Sequence, residues 1–298
     1  MVSLKNILIA TVCSFTFFFF LPAQSSTLSV QGPVVSPGDP AKLISKFSKV
    51  IYIVFENEDQ KQVISNAYFK SLAAKGANFT NLVAEIHPSQ GNYIGMVAGD
   101  TYGINHDRNV DLNVPHLGDL LENKNRSWKT FAEGYPGKCF KGATNGLSAR
   151  KHVPFMSFVN VTNNPARCEN IVNEKTFFAD WKSGKLPDFS MYIPNLKNDG
   201  HDTSIDFAAT WLKTNFDGAF NDPKMMNDTL VILTYDESTY FGGNRVYNVL
   251  FGPMVKAGSV NAASHTHFSL LKMIEDEWDL GSLNRNDSRA ETITGIWQ

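Results

Sequence analysis

The sequence predicts an α/β fold, a three-layer α/β/α sandwich with a mostly parallel central sheet. Two continuous apolar runs, residues 50–55 and 230–235, are typical of strands that are buried on both faces. Between and after these strands, apolar residues recur at helical spacing. With 298 residues, of which 43% are hydrophobic and 19% charged, the chain is long enough to form one such domain around a large core.

The first predicted helix follows the first strand directly. Residues 59–75 carry apolar side chains at helical spacing, and Gly76 closes the helix. After the second buried strand, residues 246–255 predict a further strand that is interrupted at Gly252-Pro253. Residues 267–280 predict an amphipathic helix.

We expect a single domain over residues 48–298. Within it, residues 105–185 are rich in Asn, Lys, Gly and aromatic residues and have weak periodicity. This segment is predicted to be an irregular, cap-like insertion that covers or shapes a site.

The N-terminus has the features of a secretory signal peptide. Residues 1–25 carry a single charge, Lys5, an apolar stretch over residues 7–21, and small residues suited to cleavage after Ser25. The alternative, an uncleaved anchor, is disfavoured because the apolar stretch is short for a bilayer span. Residues 26–47 form a leader, and the mature chain is expected to be secreted without stable membrane insertion.

Cysteines and glycosylation motifs agree with secretion. In an oxidising compartment Cys139 and Cys168 are expected to form a disulfide, although two free buried thiols are the alternative. Five Asn-x-Ser/Thr motifs predict glycosylation, at Asn78, Asn125, Asn160, Asn227 and Asn286.

The overall charge gives no sign of a polyanionic partner. The formal net charge is -2, and no block of Lys and Arg stands out. The sequence therefore argues against binding to nucleic acid or to an anionic membrane surface. A charged small substrate would need a local site. The sequence leaves the oligomeric state open.

Two polar pairs follow the two buried strands. Glu56-Asn57 ends the first, and Asp236-Glu237 ends the second. Because ligands bind at the carboxyl ends of strands in such folds, these side chains are expected to converge. Three carboxylates and an amide oxygen would favour a divalent metal. The alternative for either pair alone is a helix N-cap or a solvated turn.

Ser89 lies in a Pro- and Gly-framed turn that precedes a small-residue helix. At a helix N-terminus, free N–H groups and the helix dipole favour both a serine alkoxide and a bound phosphate. The residue types alone leave open a second interpretation, in which Ser89 simply caps the helix.

Histidines supply a further set of candidates. His201, next to Asp202, could bind metal, donate to phosphate or protonate a leaving group, and His267 opens the late helix. Because a lone histidine is more often structural, His106, His116 and His152 are assigned to that class.

At these residues the sequence resembles the phosphoesterase family of fungal-type secreted acid phosphatases, which is related to bacterial phospholipases C within the alkaline-phosphatase-like superfamily. Ordered motifs from about residue 48 to the C-terminus carry the resemblance: Phe55-Glu56-Asn57, His87-Pro88-Ser89-Gln90, Gly99-Asp100-Thr101-Tyr102-Gly103, Asn198-Asp199-Gly200-His201-Asp202, Thr234-Tyr235-Asp236-Glu237-Ser238 and His267-Phe268-Ser269-Leu270-Leu271. Arg150-Lys151-His152 resembles the acid-phosphatase branch. Gly91 departs from the family's usual Pro, and Phe268 from its usual Tyr.

The resemblance implies an alkaline-phosphatase-like fold and a role for each site residue. Ser89 would be the nucleophile that forms a transient phosphoserine, and His201 would assist departure of the leaving group. One divalent metal ion of unknown identity would be held by Glu56, Asn57, Asp236 and Glu237. Residues expected to contact a small phosphorylated substrate are His87, Asn92, Asp202 and His267.

The function expected from these features is a secreted, metal-dependent phosphomonoesterase. A phospholipase C or another phosphodiesterase is the first alternative, because the sequence does not show the shape of the cleft. The second is a secreted binding glycoprotein without catalysis, since fold alone does not fix function.

Overall fold

The computed structural model of the chain describes residues 45–298. The predicted signal peptide and all but the last three residues of the predicted leader lie outside this range. Within it, no helix is long and apolar enough to cross a membrane.

Of the ten strands within residues 45–298, eight form one central sheet. Its order is β10-β2-β9-β8-β1-β7-β3-β6, and β4 and β5 form a separate two-stranded hairpin. In the described part of the chain only β9 runs against its sheet neighbours; the other strands are parallel to one another. The strands are β1 (Lys49–Phe55), β2 (Ala77–Phe79), β3 (Trp128–Ala132), β4 (Thr144–Asn145), β5 (Ser148–Ala149), β6 (Ile171–Val172), β7 (Phe189–Ile193), β8 (Thr229–Tyr235), β9 (Asn248–Phe251) and β10 (Ser259–Asn261).

Helices cover both faces of this sheet and complete the predicted three-layer sandwich. The helices are α1 (Gln60–Val63), α2 (Ala67–Lys75), α3 (Gln90–Ala98), α4 (Leu117–Asn123), α5 (Val159–Thr162), α6 (Pro165–Cys168), α7 (Phe177–Lys182), α8 (Ile205–Phe220) and α9 (His267–Glu277). Short 3₁₀ turns lie between them, including Arg150–His152.

Aromatic side chains join the sheet to the layer that contains α2 and α8. The ring centroid of Phe55, at the end of β1, lies 5.7 Å from that of Phe69 in α2 and 6.0 Å from that of Trp211 in α8. Tyr192 of β7 packs edge-on against Phe216 of α8 at 5.1 Å. Helices α3 and α9 pack against each other in the second helical layer. The central strands are buried on both faces, as their continuous apolar runs predict.

The predicted helix over residues 59–75 is wrong in one respect, because the structure divides it into α1 and α2. The side chain of Asn66 accepts hydrogen bonds from the backbone N–H groups of Tyr68 and Phe69. Asn66 therefore begins a new helix, and its extended backbone breaks the earlier one. The strand predicted over residues 246–255 is limited to β9, and the late helix ends at Glu277.

The predicted cap-like insertion over residues 105–185 also needs correction. Strands β3 and β6 fall inside it, and both belong to the central sheet. Because these strands have only five and two residues, their apolar pattern is too short to stand out between polar loops.

The predicted disulfide is present, since Cys139 and Cys168 are bonded. The five glycosylation motifs differ in accessibility. Asn125 and Asn227 are exposed, whereas Asn78 lies in β2, which has a neighbour on each side, and Asn286 is half-buried. The amide of Asn160 bonds to His116 and to Asp119.

Candidate active site

The two polar pairs meet at the carboxyl edge of the sheet because their strands are neighbours. In the parallel pairing of β1 with β8, Phe55 lies opposite Tyr235. The backbone N–H of Asp236 then donates to the carbonyl of Phe55 at 2.9 Å, and the N–H of Asn57 donates to Oδ1 of Asp236 at 3.2 Å. The prediction that these pairs converge is therefore confirmed.

Four oxygen atoms form a compact group, here called the oxygen cluster: Glu56 Oε2, Asn57 Oδ1, Ser89 Oγ and Glu237 Oε1. Ser89 Oγ lies 3.2 Å from the Glu56 oxygen and 3.0 Å from the Glu237 oxygen. The Asn57 oxygen lies 3.3 and 3.0 Å from the same two atoms. The four atoms therefore have neighbour distances of 3.0 to 3.3 Å around a closed ring.

The oxygen cluster fits a divalent metal. Oxygen ligands about 2.1 Å from an octahedral ion lie about 3.0 Å from their neighbours, which matches the spacing of the cluster. As placed, the Asn57 oxygen faces two carboxylate acceptors, and a cation would compensate this contact. If the amide turned by 180°, its nitrogen would donate to both carboxylates, as a metal-free site requires.

Burial of like charges is the second sign of a cation. Glu56 and Asp236 are fully buried, and Glu237 is nearly so. Burial raises the pKa of Glu56 and of Asp236 well above the ordinary range. Repulsion from Asp199 and Glu237 raises the pKa of Glu56 further, and repulsion from Glu56 and Glu237 raises that of Asp236. Asp236 Oδ2 has no hydrogen-bond partner among the described residues. Such a group of acids becomes stable in its charged form when a cation is bound.

The geometry of Ser89 argues against a simple helix cap. Its backbone is already helical, and its side chain makes no capping hydrogen bond to α3, which begins at the next residue. The hydroxyl points instead at Glu56 and Glu237, either of which can accept its proton. The structure therefore places a serine hydroxyl between two carboxylates at the start of a helix.

A second group of ligand-type residues shares Glu56, and the sequence did not predict it. Ligand atoms of Glu56, His152 and Asp199 all lie within 4.8 Å of one another, and all three residues are buried. Nε2 of His152 lies 3.1 Å from Glu56 Oε1. Burial lowers the pKa of His152 and raises that of Asp199 to about 8. The assignment of His152 to the structural histidines is wrong, because its ring lies inside the site.

Tyr93 is another residue of the site that the sequence did not predict. Its hydroxyl donates to Glu56 Oε1 at 2.5 Å, and its ring stacks on His152 at 4.9 Å between centroids. The available signal was the position of Tyr93 in α3, one helical turn after Ser89, which places both on the same side of the helix. His152 had no such local signal.

Three predicted residues lie on the open side of the cluster. Nδ1 of His87 lies 2.6 Å from Glu237 Oε2, and the His87 ring stacks on Tyr240. His201 is exposed, and its Nδ1 lies 2.7 Å from Oδ1 of Asp202. The His201 ring centroid is 6.2 Å from that of His152, which places this pair beside the site.

Two residues predicted to contact substrate have other partners. The Asn92 side chain accepts from the N–H groups of Glu85 and Ile86, so it shapes the loop before Ser89. Nε2 of the buried His267 ring lies 2.8 Å from the backbone oxygen of Asp236, and this contact positions Asp236. For both residues the structure favours a positioning role over substrate contact.

Of the remaining histidines, His116 is structural as expected, because its ring caps α4 by accepting from Gly118. His106 lies on the loop after α3, where Nε of Arg108 bonds to its ring.

Sequence comparison places this site in a known family. The phosphoesterase family matches residues 53–281, which include every residue of the oxygen cluster. The chain is 34% identical over 287 residues to a probable acid phosphatase from Kluyveromyces lactis, and this match covers 90% of the chain and 68% of the relative. It is 34% identical to an acid phosphatase from Aspergillus fumigatus, covering 83% of the chain. Only 58% of that relative's length is spanned.

A bacterial relative matches over nearly its whole length. A phosphatidylinositol-3-phosphatase from Mycobacterium tuberculosis is 32% identical over 281 residues, which is 92% of this chain and 91% of that protein.

Solved structures agree on the fold. A protein in the alkaline phosphatase superfamily from Vibrio parahaemolyticus has a TM-score of 0.54 at 13% identity, covering 86% of this chain and 75% of its own. A phosphonate monoester hydrolase from Silicibacter pomeroyi has a TM-score of 0.52 at 8% identity, covering 78% and 73%. These neighbours show an alkaline-phosphatase-like fold. With the matched residues and the site in agreement, the chain belongs to the phosphoesterase family of phosphoric ester hydrolases.

Proposed function

We propose that this chain is a secreted, metal-dependent phosphomonoesterase of the acid-phosphatase type, which works through a phosphoserine intermediate. The observation that carries the proposal is the position of Ser89 Oγ, within 3.2 Å of two buried carboxylate oxygens and at the start of α3. The names of the fungal relatives support the activity.

Each step can be assigned to residues of the chain. Ser89 Oγ attacks phosphorus while its proton passes to Glu56 or Glu237, and the ester P–O bond breaks. His201 gives a proton to the departing alkoxide, because its Nδ1 is engaged with Asp202 and its Nε2 is left for this role. Water then hydrolyses the phosphoserine, which releases phosphate and restores Ser89.

A divalent cation held by Glu56, Asn57, Asp236 and Glu237 would supply the positive charge that lowers the pKa of the serine hydroxyl and neutralises the phosphoryl oxygens. Tyr93 and His267 would keep two of these ligands in place through their contacts with Glu56 and Asp236.

Secretion is part of the proposal. The signal-like residues 1–25, the disulfide between Cys139 and Cys168, and the exposed motifs at Asn125 and Asn227 all suit an oxidising, extracellular compartment. Mass spectrometry of the protein secreted by a eukaryotic host would show the N-terminus at residue 26 and glycans at the two exposed sites. An intact N-terminus on a cell-associated protein would contradict secretion.

The decisive test of the proposed function is Ser89→Ala. We expect turnover of p-nitrophenyl phosphate to fall by about 10⁴-fold or more, because the nucleophile is lost. Ser190→Ala is the matched control, since Ser190 is buried in β7 and its hydroxyl has no hydrogen-bond partner among the described residues. Full activity of Ser89→Ala would refute the nucleophile. Faster hydrolysis of bis(p-nitrophenyl) phosphate or phosphatidylcholine by the wild type would instead identify a phosphodiesterase.

A further inference from the structure

A carboxylate from an exposed loop lies at the start of α3, beside Ser89. The backbone N–H of Gln90 donates to Oδ1 of Asp107 at 3.2 Å. Nζ of Lys151 donates to Oδ2 of the same carboxylate at 2.6 Å. Asp107 thus joins an amide of the first helical turn to an ammonium group that comes from a distant part of the chain.

The two donors suit an anion. The N–H groups at the start of a helix carry partial positive charge, and Gln90 immediately follows the proposed nucleophile. Lys151 immediately precedes His152, whose Nε2 lies 3.1 Å from Glu56 Oε1.

Asp107 is poorly suited to be a permanent occupant of this position. It places a negative charge on Gln90, the residue that follows Ser89, whose hydroxyl already contacts the carboxylates of Glu56 and Glu237. It lies in an irregular, mostly exposed segment, residues 105–109, outside the strands and helices. Lys151, in contrast, belongs to the 3₁₀ turn that carries His152 into the site.

We propose that Lys151 and the N–H of Gln90 form the phosphate-binding subsite beside Ser89, and that the phosphoryl group of a substrate displaces the Asp107 carboxylate from them. The proposal rests on the proposed function, which it deepens by naming the donors that bind the phosphoryl oxygens. It gives Lys151 a binding role, and Asp107 the role of an internal competitor.

The alternative role for Asp107 and Lys151 is a structural ion pair, and opposite effects of substitution distinguish the two. Asp107→Asn and Lys151→Met each remove the same salt bridge. If the pair is structural, both substitutions change phosphate binding in the same direction or leave it unchanged. If Asp107 competes with phosphate for Lys151, Asp107→Asn strengthens phosphate binding and Lys151→Met weakens it.

Binding of inorganic phosphate to the mature protein with its metal is the measurement, by isothermal titration calorimetry. We expect Lys151→Met to raise the dissociation constant about tenfold or more, because a charge-assisted hydrogen bond is lost, and Asp107→Asn to lower it several-fold. Lys151→Arg keeps the cation and should bind within a few-fold of wild type. Lys124→Met and Asp279→Asn are the controls, since they break an exposed ion pair of 2.8 Å elsewhere.

Equal weakening by Asp107→Asn and Lys151→Met, or no change in either, would overturn the proposal. Unfolding curves of each variant would show whether weaker binding arises from misfolding; if Lys151→Met unfolds, the comparison of Lys151→Arg with Asp107→Asn decides. Because phosphate binding is measured without turnover, its outcome is separate from that of Ser89→Ala. If the protein did not hydrolyse phosphomonoesters, but Asp107→Asn strengthened and Lys151→Met weakened phosphate binding, the phosphate-binding subsite would be supported and the proposed phosphatase function would not.

Discussion

Among single residues, Tyr93 has a role that can be separated from the chemistry itself. Its hydroxyl bonds to Glu56 Oε1, while Oε2 of the same carboxylate belongs to the oxygen cluster. Removing the hydroxyl in Tyr93→Phe should let Glu56 turn. Loss of a residue that orients a metal ligand typically weakens metal binding by about 10- to 100-fold. We expect this loss in a chelator-competition measurement, with the fold retained.

Tyr235→Phe is the matched control for Tyr93→Phe. Tyr235 is also a fully buried tyrosine, but its hydroxyl has no hydrogen-bond partner among the described residues. Its loss should leave metal affinity within about twofold of wild type, since no ligand contact is removed. If both variants lost metal equally, burial of tyrosine near the sheet, rather than contact with Glu56, would explain the effect.

Gly91 shows why this chain departs from the family's usual Pro. A Cβ atom at this position would lie 2.6 Å from the backbone oxygen of Ile104 and 2.7 Å from Cγ2 of Ile86. Gly91→Ala should therefore destabilise the protein by about 1–3 kcal/mol, the usual cost of overpacking. Urea unfolding measures this change, and Gly218→Ala is the control. Gly218 lies in α8, and no atom lies within 4 Å of the position that its Cβ would take. The stability of Gly218→Ala should therefore rise by up to about 1 kcal/mol. Equal destabilisation would contradict the packing argument.

The sequence predicted the site residues whose signal is local and missed those whose position depends on the tertiary fold. Glu56 and Asp236 end long buried strands, and that position alone indicates a shared edge. His152 instead reaches Glu56 from a 3₁₀ turn almost a hundred residues further along the chain. The motif Arg150-Lys151-His152 carried only the resemblance to the acid-phosphatase branch, and it did not separate His152 from His116, which is structural.

Among secondary-structure elements, length decided which ones the sequence could predict. Strands β1 and β8 have seven residues each, most of them apolar, and the predicted bounds lie within one residue of the observed ones. Strands β2 and β10 have three residues each, too few to show a period. The break between α1 and α2 depends on one hydrogen-bonding side chain, that of Asn66, which also occurs inside helices.

Helix α9 contains a buried acid that links stability to pH. Burial, together with the nearby charge of Asp287, raises the pKa of Glu275 from its ordinary 4.5 to about 9. The folded protein therefore keeps a proton that the unfolded chain loses. The stability contributed by neutral Glu275 is complete below about pH 4.5 and is lost as the pH rises toward 9, by about 1.4 kcal/mol per pH unit.

Glu275→Gln tests this link, because glutamine has the same shape and cannot ionise. We expect the variant to lose less stability than wild type between pH 5 and pH 9, as measured by urea unfolding at each pH. Lys272 and Asp276, which are also charged and lie close by, are unchanged in the comparison. If the free energy of unfolding changed equally with pH in both proteins, Glu275 would be charged in the folded state.

For the whole molecule, sheet order could not be predicted from the sequence. The alternation of strands and helices predicts a mostly parallel sheet, but it does not show that β7 and β8 lie on either side of β1. That order joins segments from three regions of the chain, and it brings Asp199, on the loop after β7, next to Glu56. Long-range pairing of this kind is decided by the packing of the complete core, which no local pattern records.

The disulfide closes a segment that lies between β3 and β6 and contributes to the site. Cys139 and Cys168 enclose 28 residues, including the turn that carries Lys151 and His152. Closing a loop of this size stabilises the folded protein by about 3.5 kcal/mol, mainly by restricting the unfolded chain. We expect the double variant Cys139→Ser/Cys168→Ser to lose about this amount in urea unfolding and to retain turnover at low temperature, because the site residues keep their other contacts. Unchanged stability would contradict this role; lost turnover in a folded variant would show that the disulfide also positions the turn.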